Sequence, residues 1–275
     1  MEGIKLIAFD LDGTLLNSKK EISSKTLEIL KRAAEMKIEL VPATGRFWSV
    51  VPDCLRNLNF IHYALTLNGA EVFDVENSKT IAKFEIPPER ALKMARVFED
   101  IDGIIYDCIF DGQGYMRRDF YGKIPDFMAG EWQTELVRKG RKPVEDFEAV
   151  IKNSKGIQKM QIFTLDKELR QNLLDALPIV FPKSVFTSSV PNNIEINDIS
   201  ADKGSALKFL ADYLDIPIEN TIAFGDGLND LSMIKAAGLG IAMENSCHEL
   251  LDCADSVTLD CDNDGVAEGI MKFCF

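Results

Sequence analysis

The chain has 275 residues, of which 46% are hydrophobic and 27% are charged, and its formal net charge is -13 at pH 7. This composition is typical of a globular protein, and the length suits one large domain or two modest ones. Nucleic-acid binding depends on basic patches, so an acidic chain without a basic run argues against a nucleic-acid partner. No apolar run approaches the length of a membrane span and no secretory signal pattern is present, so we expect a cytoplasmic protein without a membrane partner.

The cysteines and histidines do not indicate a disulfide framework or a zinc site. None of the six cysteines forms a CxxC pair, and the two histidines, His62 and His248, lie far apart in the sequence. We therefore expect reduced thiols, as in a cytosolic protein, and no histidine-based zinc site.

The first third of the chain alternates apolar runs with a helical pattern. The runs lie at residues 4–9, 38–41 and 63–67. Each run is short enough to be a buried strand, and Ser23 predicts the N-cap of a helix between the first two. Strands that alternate with helices predict a parallel sheet with right-handed crossovers.

The middle of the chain has a different pattern, which predicts a separate α+β domain. A polar hairpin at 71–84 leads to a helix that Pro87-Pro88 opens, and a second hairpin is predicted around Asp111-Gly112-Gln113. A further strand is predicted at 157–165. We place this inserted domain at residues 85–189.

The alternation of strands and helices returns in the last third. Helices are predicted at 203–214 and 231–236, and strands at 220–224 and 240–242. The first and last thirds therefore predict one α/β core, formed by residues 1–84 and 190–275.

Polar residues follow the predicted strands where each strand ends. They are Asp10, Thr44, Asn68 and Asp226. In open parallel sheets, ligands bind outside the carboxyl ends of the strands, so chemistry is expected there. Asp10 and Asp12 can point into one site. A calcium loop is the alternative for this pair, but Asn17 and Ser18 do not continue the ligand pattern that such a loop needs.

Three further segments have the residue types of a phosphate and metal site. Thr44-Gly45-Arg46 offers a hydroxyl and backbone N–H groups, which suit an anion. Lys203 opens a helix, where a positive charge is unfavourable unless an anion lies nearby. The segment 225–230 places three oxygen-bearing side chains in a tight turn, and hard oxygen ligands suit Mg²⁺.

Taken together, these segments resemble the haloacid dehalogenase superfamily, and more closely its Cof-like branch of sugar-phosphatase relatives. The matching stretches, in chain order, are DLDGTLL, ATGR, LNGA, DKG, GDGLNDLSMI, AGLGIAMENS, ADSVT and DNDGVAEGI. The resemblance implies a Rossmann-like parallel sheet core with helices on both faces. It also implies that the inserted α+β block is a cap domain that carries the substrate specificity.

The resemblance further implies a Mg²⁺-dependent phosphatase that forms a phospho-aspartate on Asp10, with Asp12 as general acid and then base. The implied phosphate-binding residues are Thr44, Gly45, Arg46, Asn68, Lys203 and Asn229. The implied metal ligands are Asp10, the backbone carbonyl of Asp12, and Asp226. Asn229 and Asp230 are implied to complete or support this metal site. Mg²⁺ is the implied cofactor, and a small phosphorylated metabolite is the implied partner.

The sequence leaves several alternatives open. A phosphomutase of the same superfamily shares the phospho-aspartate, and a non-catalytic phosphate-binding module is a hypothesis from another class. A dehalogenase also uses an aspartate nucleophile but does not need the metal cluster around Asp226. Sugar phosphates, nucleotides, FMN and pyridoxal phosphate all remain possible substrates, and Tyr115, Arg117 and Arg118 are candidates to contact the substrate.

Overall fold

A computed structural model describes residues 3–275 and divides the chain into two compact units. The first unit comprises the chain up to Ala82 together with Asp202–Phe275, and the second comprises Lys83–Ala201. The first part of the chain forms β1 (Leu6–Phe9), α1 (Ser24–Glu35), β2 (Glu39–Pro42), α2 (Asp53–Arg56), β3 (Tyr63–Thr66), β4 (Glu71–Asp74) and β5 (Lys79–Lys83).

The remaining elements follow in two groups. The middle of the chain forms α3 (Pro88–Glu99), β6 (Ile105–Phe110), β7 (Gln113–Arg117), α4 (Arg118–Phe127), α5 (Glu131–Gly140), β8 (Arg141–Val144), α6 (Phe147–Lys152), β9 (Lys159–Phe163), α7 (Lys167–Val180), β10 (Ser184–Thr187) and β11 (Asn193–Asp198). The last part forms α8 (Lys203–Tyr213), β12 (Thr221–Gly225), α9 (Leu231–Ala236), β13 (Leu239–Met243), α10 (His248–Leu251), β14 (Ser256–Thr258) and α11 (Gly265–Cys274).

The first unit is built on a parallel sheet with the strand order β14-β13-β12-β1-β2. Successive side chains of a strand point to opposite faces, so each buried strand contributes to two apolar cores. Ile7, Phe9 and Phe224 pack against α1 and α11 on one face. Leu6 and Ala8 pack against α8, α9 and α10 on the other. The prediction of a parallel sheet with helices on both faces is confirmed.

Local sequence explains where the first helix begins. The Ser23 side chain accepts a hydrogen bond from the backbone N–H of Thr26, as an N-cap does. The run 63–67, predicted as a strand of the parallel sheet, instead forms β3 of a three-stranded sheet in the order β3-β4-β5, in which β3 and β4 are antiparallel. The hairpin predicted at 71–84 corresponds to β4 and β5.

The second unit contains a six-stranded mixed sheet in the order β10-β11-β9-β6-β7-β8. The second strand of the hairpin predicted around Asp111-Gly112-Gln113 is β7, which ends at Arg117 because the chain becomes helical at Arg118. β11 pairs with both β10 and β9, so it belongs to this sheet. The chain therefore returns to the first unit at Asp202, rather than at residue 190 as placed from the sequence.

The two faces of this second sheet differ in polarity. One face packs Tyr106, Met160 and Ile162 into a large apolar cluster with residues of α3, α6 and α7. The other face is apolar near α4 and α5 and carries buried charged residues elsewhere. Among residues 3–275, no helix is both long and apolar enough to cross a lipid bilayer.

Candidate active site

Two strand ends bring the first and last thirds of the chain together. β1 and β12 are parallel neighbours, and Phe9 pairs in register with Phe224. The residues that follow these strands, Asp10 and Asp226, therefore meet at one edge of the sheet. Together with Asp230, each can offer an oxygen such that the three oxygens lie within 4.8 Å of one another.

Lys203 is the buried cation of this cluster. Its side chain is 0% exposed, and Nζ donates hydrogen bonds to Asp10 Oδ1 and Asp230 Oδ1 at 2.5 Å each. Burial alone would lower the pKa of Lys203, but the charges of Asp10 and Asp230 outweigh it and hold the pKa above its usual value. The ammonium therefore stays charged where the strand ends converge.

The cluster has more negative than positive charge. Burial raises the pKa of Asp10 well above its usual value, against the effect of Lys203, and Asp230 and Asp226 raise it further. Burial also raises the pKa of Asp226 to about 6. Three carboxylates face a single ammonium, and their oxygens are the ligands that Mg²⁺ prefers, so this donor set fits a divalent cation.

Thr14 and Gly13 fix the carboxylate of Asp226 from the β1 side. Thr14 Oγ1 donates a 2.6 Å hydrogen bond to Asp226 Oδ1. Gly13 has φ +95, and a Cβ there would lie 2.4 Å from Asp226 Oδ2, so a larger residue would displace the carboxylate. The role of Thr14 was missed from the sequence, although it belongs to the DLDGTLL stretch.

Asp230 holds its own loop together. Its Oδ2 accepts hydrogen bonds from the backbone N–H groups of Asp226 and Gly227, both at 3.0 Å, while its Oδ1 accepts from Lys203. These contacts favour a role in positioning Asp226 and Lys203. Its neighbour Asn229 donates a 3.2 Å hydrogen bond from Nδ2 to Asn68 Oδ1.

Asp12 is paired with two cations. Nε and Nη2 of Arg46 donate to the two oxygens of Asp12 at 3.0 and 2.8 Å, and Lys20 Nζ donates at 2.8 Å. Burial would raise the pKa of Asp12, but the charges of Arg46 and Lys20 hold it below its usual value. Arg46 thus contacts the predicted acid–base residue. Lys20 was missed, because no sequence pattern shows where a flexible side chain ends.

The predicted anion-binding turn after β2 is buried and well connected. Thr44 is 2% exposed, and its Oγ1 accepts a 3.2 Å hydrogen bond from the backbone N–H of Arg46. Gly45 lies between these two residues. The carbonyl of Thr44 accepts a 3.0 Å hydrogen bond from the N–H of Asn68, which links this turn to the one after β3.

Tyr115, Arg117 and Arg118 are engaged within the second unit. The Tyr115 ring stacks on Phe110, with 4.8 Å between the ring centroids. Arg117 pairs with Glu99 and Asp119. Arg118 pairs with Glu145.

Comparison with known proteins identifies the family to which the chain belongs. A model of haloacid dehalogenase-like hydrolases matches residues 7–270. The chain belongs to the haloacid dehalogenase-like hydrolase family. The resemblance stated from the sequence is therefore confirmed, and so is the prediction of a hydrolase.

Similar proteins in this family include named phosphatases. Phosphatase YwpJ of Bacillus subtilis is 32% identical over 291 residues, which cover 96% of this chain and 98% of that protein. The 5-amino-6-(5-phospho-D-ribitylamino)uracil phosphatase YwtE of the same species is 32% identical over 283 residues, with 96% of each chain covered.

Solved structures of the family superpose on the chain. A haloacid dehalogenase-like hydrolase from B. subtilis has a TM-score of 0.81 at 30% identity and covers 99% of this chain and 100% of its own. The subclass IIB sugar phosphatase BT4131 has a TM-score of 0.80 at 25% identity, with 98% of each chain covered.

Proposed function

We propose that the protein is a Mg²⁺-dependent phosphatase that hydrolyses small phosphorylated metabolites through a phospho-aspartate on Asp10. The observation that carries this proposal is the contact of Lys203 with Asp10 and Asp230 beside Asp226, where two parallel strands end. The phosphatase names of the similar proteins YwpJ and YwtE support the same reaction.

Asp10 and Asp226 would hold the metal ion together with the backbone carbonyl of Asp12, with Asp230 and Asn229 supporting them. A bound divalent cation neutralises phosphate charge and stabilises charge on the phosphoryl oxygens. Thr14 keeps an oxygen of Asp226 oriented, and Asp230 holds the Asp226 backbone.

Two carboxylates, those of Asp10 and Asp12, would carry out the two parts of the reaction. An ionised Asp10 attacks phosphorus, and the neighbouring Lys203 offsets the repulsion between the carboxylate and the phosphate. Protonated Asp12 gives its proton to the leaving alcohol, and the resulting carboxylate then takes a proton from the water that attacks the acyl phosphate. Arg46 and Lys20 favour the ionised form of Asp12, so they support the second step and oppose the first. Thr44, Gly45 and Asn68 line the phosphate end of the site.

A test of this function measures inorganic phosphate released from a panel of sugar phosphates, nucleotides and pyridoxal phosphate, with Mg²⁺ and with EDTA. We expect EDTA-sensitive release from at least one ester. A phosphomutase would instead require a bisphosphate activator and release little phosphate, and a non-catalytic module would release none with any ester.

Thr14→Val is expected to weaken the metal site while the fold is preserved, because valine keeps the shape of threonine but cannot donate to Asp226. Residues that orient metal ligands typically change metal affinity by about 10–100-fold. The Mg²⁺ concentration for half-maximal activity should therefore rise by about that factor, with kcat at saturating Mg²⁺ little changed. An unchanged Mg²⁺ requirement would show that Thr14 does not orient Asp226.

We also propose that Lys83–Ala201 is the specificity unit of the enzyme. Across four of its strands, Thr187, Glu195, Gln161 and Asp107 are direct neighbours on one face of the sheet. Asp107, Gln161 and Glu195 are buried, and they hydrogen-bond or pair with Arg141 and Lys159. Within residues 3–275, Asp107 Oδ1 is shielded from solvent and has no hydrogen-bond partner, and we propose that a substrate hydroxyl supplies this partner when the side chains around Asp107 move aside.

Asp107→Asn is therefore expected to change selectivity. For hydroxyl-rich phosphate esters we expect kcat/KM to fall about tenfold, which is the effect of one lost hydrogen bond to a charged group. For phenyl phosphate, kcat/KM should stay within about twofold. Asp175→Asn, an exposed change on α7, is the control. Equal losses for both kinds of ester would mean that Asp107 has only a structural role.

A further inference from the structure

The turn after β3 has an unusual backbone. Leu67, Asn68 and Gly69 all have positive φ values, of 55, 60 and 89 degrees. L-residues rarely adopt this region because Cβ crowds the following carbonyl, and Leu67 is a large apolar residue. Such conformations persist only where the surrounding structure enforces them, and they concentrate at functional sites.

Hydrogen bonds tie this turn to two loops of the candidate active site. The N–H of Leu67 donates to the carbonyl of Arg46 at 3.1 Å, and the N–H of Asn68 donates to the carbonyl of Thr44 at 3.0 Å. The side chain of Asn68 accepts from Asn229. The turn is thus fixed against the loops after β2 and β12.

The same turn lies directly against the first residues of α8. A Cβ on Gly69 would lie 2.2 Å from the carbonyl oxygen of Asp202 and 2.9 Å from the backbone nitrogen of Lys203. A Cβ on Gly204, the next residue of the helix, would lie 2.3 Å from the carbonyl oxygen of Ser232. The start of α8 therefore approaches two backbone segments closely, and neither approach leaves room for a side chain.

We propose that the turn Leu67–Gly69 positions the ammonium of Lys203, and that Gly69 is the residue that makes this possible. The inference rests on the proposed function, in which Lys203 offsets the repulsion between the Asp10 carboxylate and the phosphate. A methyl group on Gly69 has no space, so the backbone at Asp202 and Lys203 must move away. A displacement of about 1 Å at a positioned catalytic group can cost on the order of 10²-fold in rate.

The test compares Gly69→Ala with Gly112→Ala. Gly112 also has a positive φ, of 71 degrees, but a Cβ there would meet nothing within 4 Å, so this variant controls for backbone strain alone. The measured quantity is the dissociation constant of orthovanadate in the presence of Mg²⁺. Bound vanadate mimics the five-coordinate transition state of phosphoryl transfer, so it binds tightly enough for losses of affinity to be measured. We expect Gly69→Ala to weaken vanadate binding by about tenfold or more and Gly112→Ala to leave it unchanged.

A double-mutant cycle shows whether Gly69 acts through Lys203. In a Lys203→Met background, Gly69→Ala should change vanadate affinity by less than about twofold, because the group that it positions is gone. Additive losses in the double variant would overturn the inference. If Lys203→Met alone leaves vanadate affinity unchanged, the proposed function of Lys203 fails instead.

Ala70→Gly provides a second variant that adds no atom and cannot clash. It gives the end of the turn more backbone freedom, so Lys203 should be held less firmly. We expect vanadate binding about threefold weaker in this variant, and no change when Lys203 is already replaced. Unchanged vanadate binding in an Ala70→Gly protein, together with a Gly69→Ala protein that fails to fold, would count against a positioning role.

Discussion

Asp10→Asn is expected to abolish turnover. An amide oxygen is far too weak a nucleophile to attack phosphorus, and loss of a catalytic nucleophile typically costs on the order of 10⁴-fold or more in kcat. Asparagine has the shape of aspartate and can still accept the hydrogen bond from Lys203, so the site should keep its form. Phosphate release by the variant at a rate within about tenfold of the parent would remove Asp10 as the nucleophile.

The same substitution is expected to stabilise the metal-free protein. Burial raises the pKa of Asp10 well above its usual value, although Lys203 opposes this. A carboxyl group whose pKa is higher in the folded state costs stability at every pH above its unfolded pKa, and this includes neutral pH. A neutral asparagine removes that cost, so the unfolding midpoint in EDTA should rise. The exposed change Asp212→Asn on α8 is the control, for which no rise is expected.

Lys203→Met is expected to impair both catalysis and metal-free stability. Removal of one preorganised charge at the transferring group typically costs about 10²–10³-fold in kcat. It also leaves Asp10 and Asp230 buried without their cation, and breaking a buried pair usually costs about 3–5 kcal/mol. The unfolding midpoint in EDTA should therefore fall. Thermal unfolding with and without Mg²⁺, together with steady-state kinetics, measures both effects.

Lys208→Met is the matched control for this experiment, because Lys208 lies on the same helix and is exposed. It should leave kcat unchanged and shift the unfolding midpoint only slightly. A Lys203→Met protein with the kcat of the Lys208→Met protein would show that the buried ammonium takes no part in the chemistry.

The meeting of Asp10 and Asp226 in one site could be predicted because both residues directly follow strands of the parallel sheet. Apolar runs that stop at Asp10 and Asp226 place both residues at the carboxyl edge of a parallel sheet, and the register of Phe9 with Phe224 brings them together. The N-cap at Ser23 was predictable for a similar reason, since its hydrogen bond is local. Patterns of this kind follow from backbone periodicity and need no knowledge of distant packing.

Contacts that depend on packing between distant segments could not be predicted. The contact of Gly69 with Asp202 and the pairing of Lys20 with Asp12 depend on backbone approach and on side-chain paths, which leave no periodic pattern. The return of the chain at Asp202 was also missed, because the sequence of β11 does not show which strands it pairs with. Its partners, β10 and β9, are what assign it to the second unit.

The most direct test of the account uses Asp12→Asn with p-nitrophenyl phosphate and Mg²⁺. This ester has a good leaving group, so Asp10 can be phosphorylated without a general acid. Hydrolysis of the acyl phosphate then lacks its general base and should slow by about 10²–10⁴-fold. We expect a burst of p-nitrophenolate and one phosphoryl group on the peptide that contains Asp10, detected by mass spectrometry. Steady release without a burst, or a phosphoryl group on any other residue, would contradict the account.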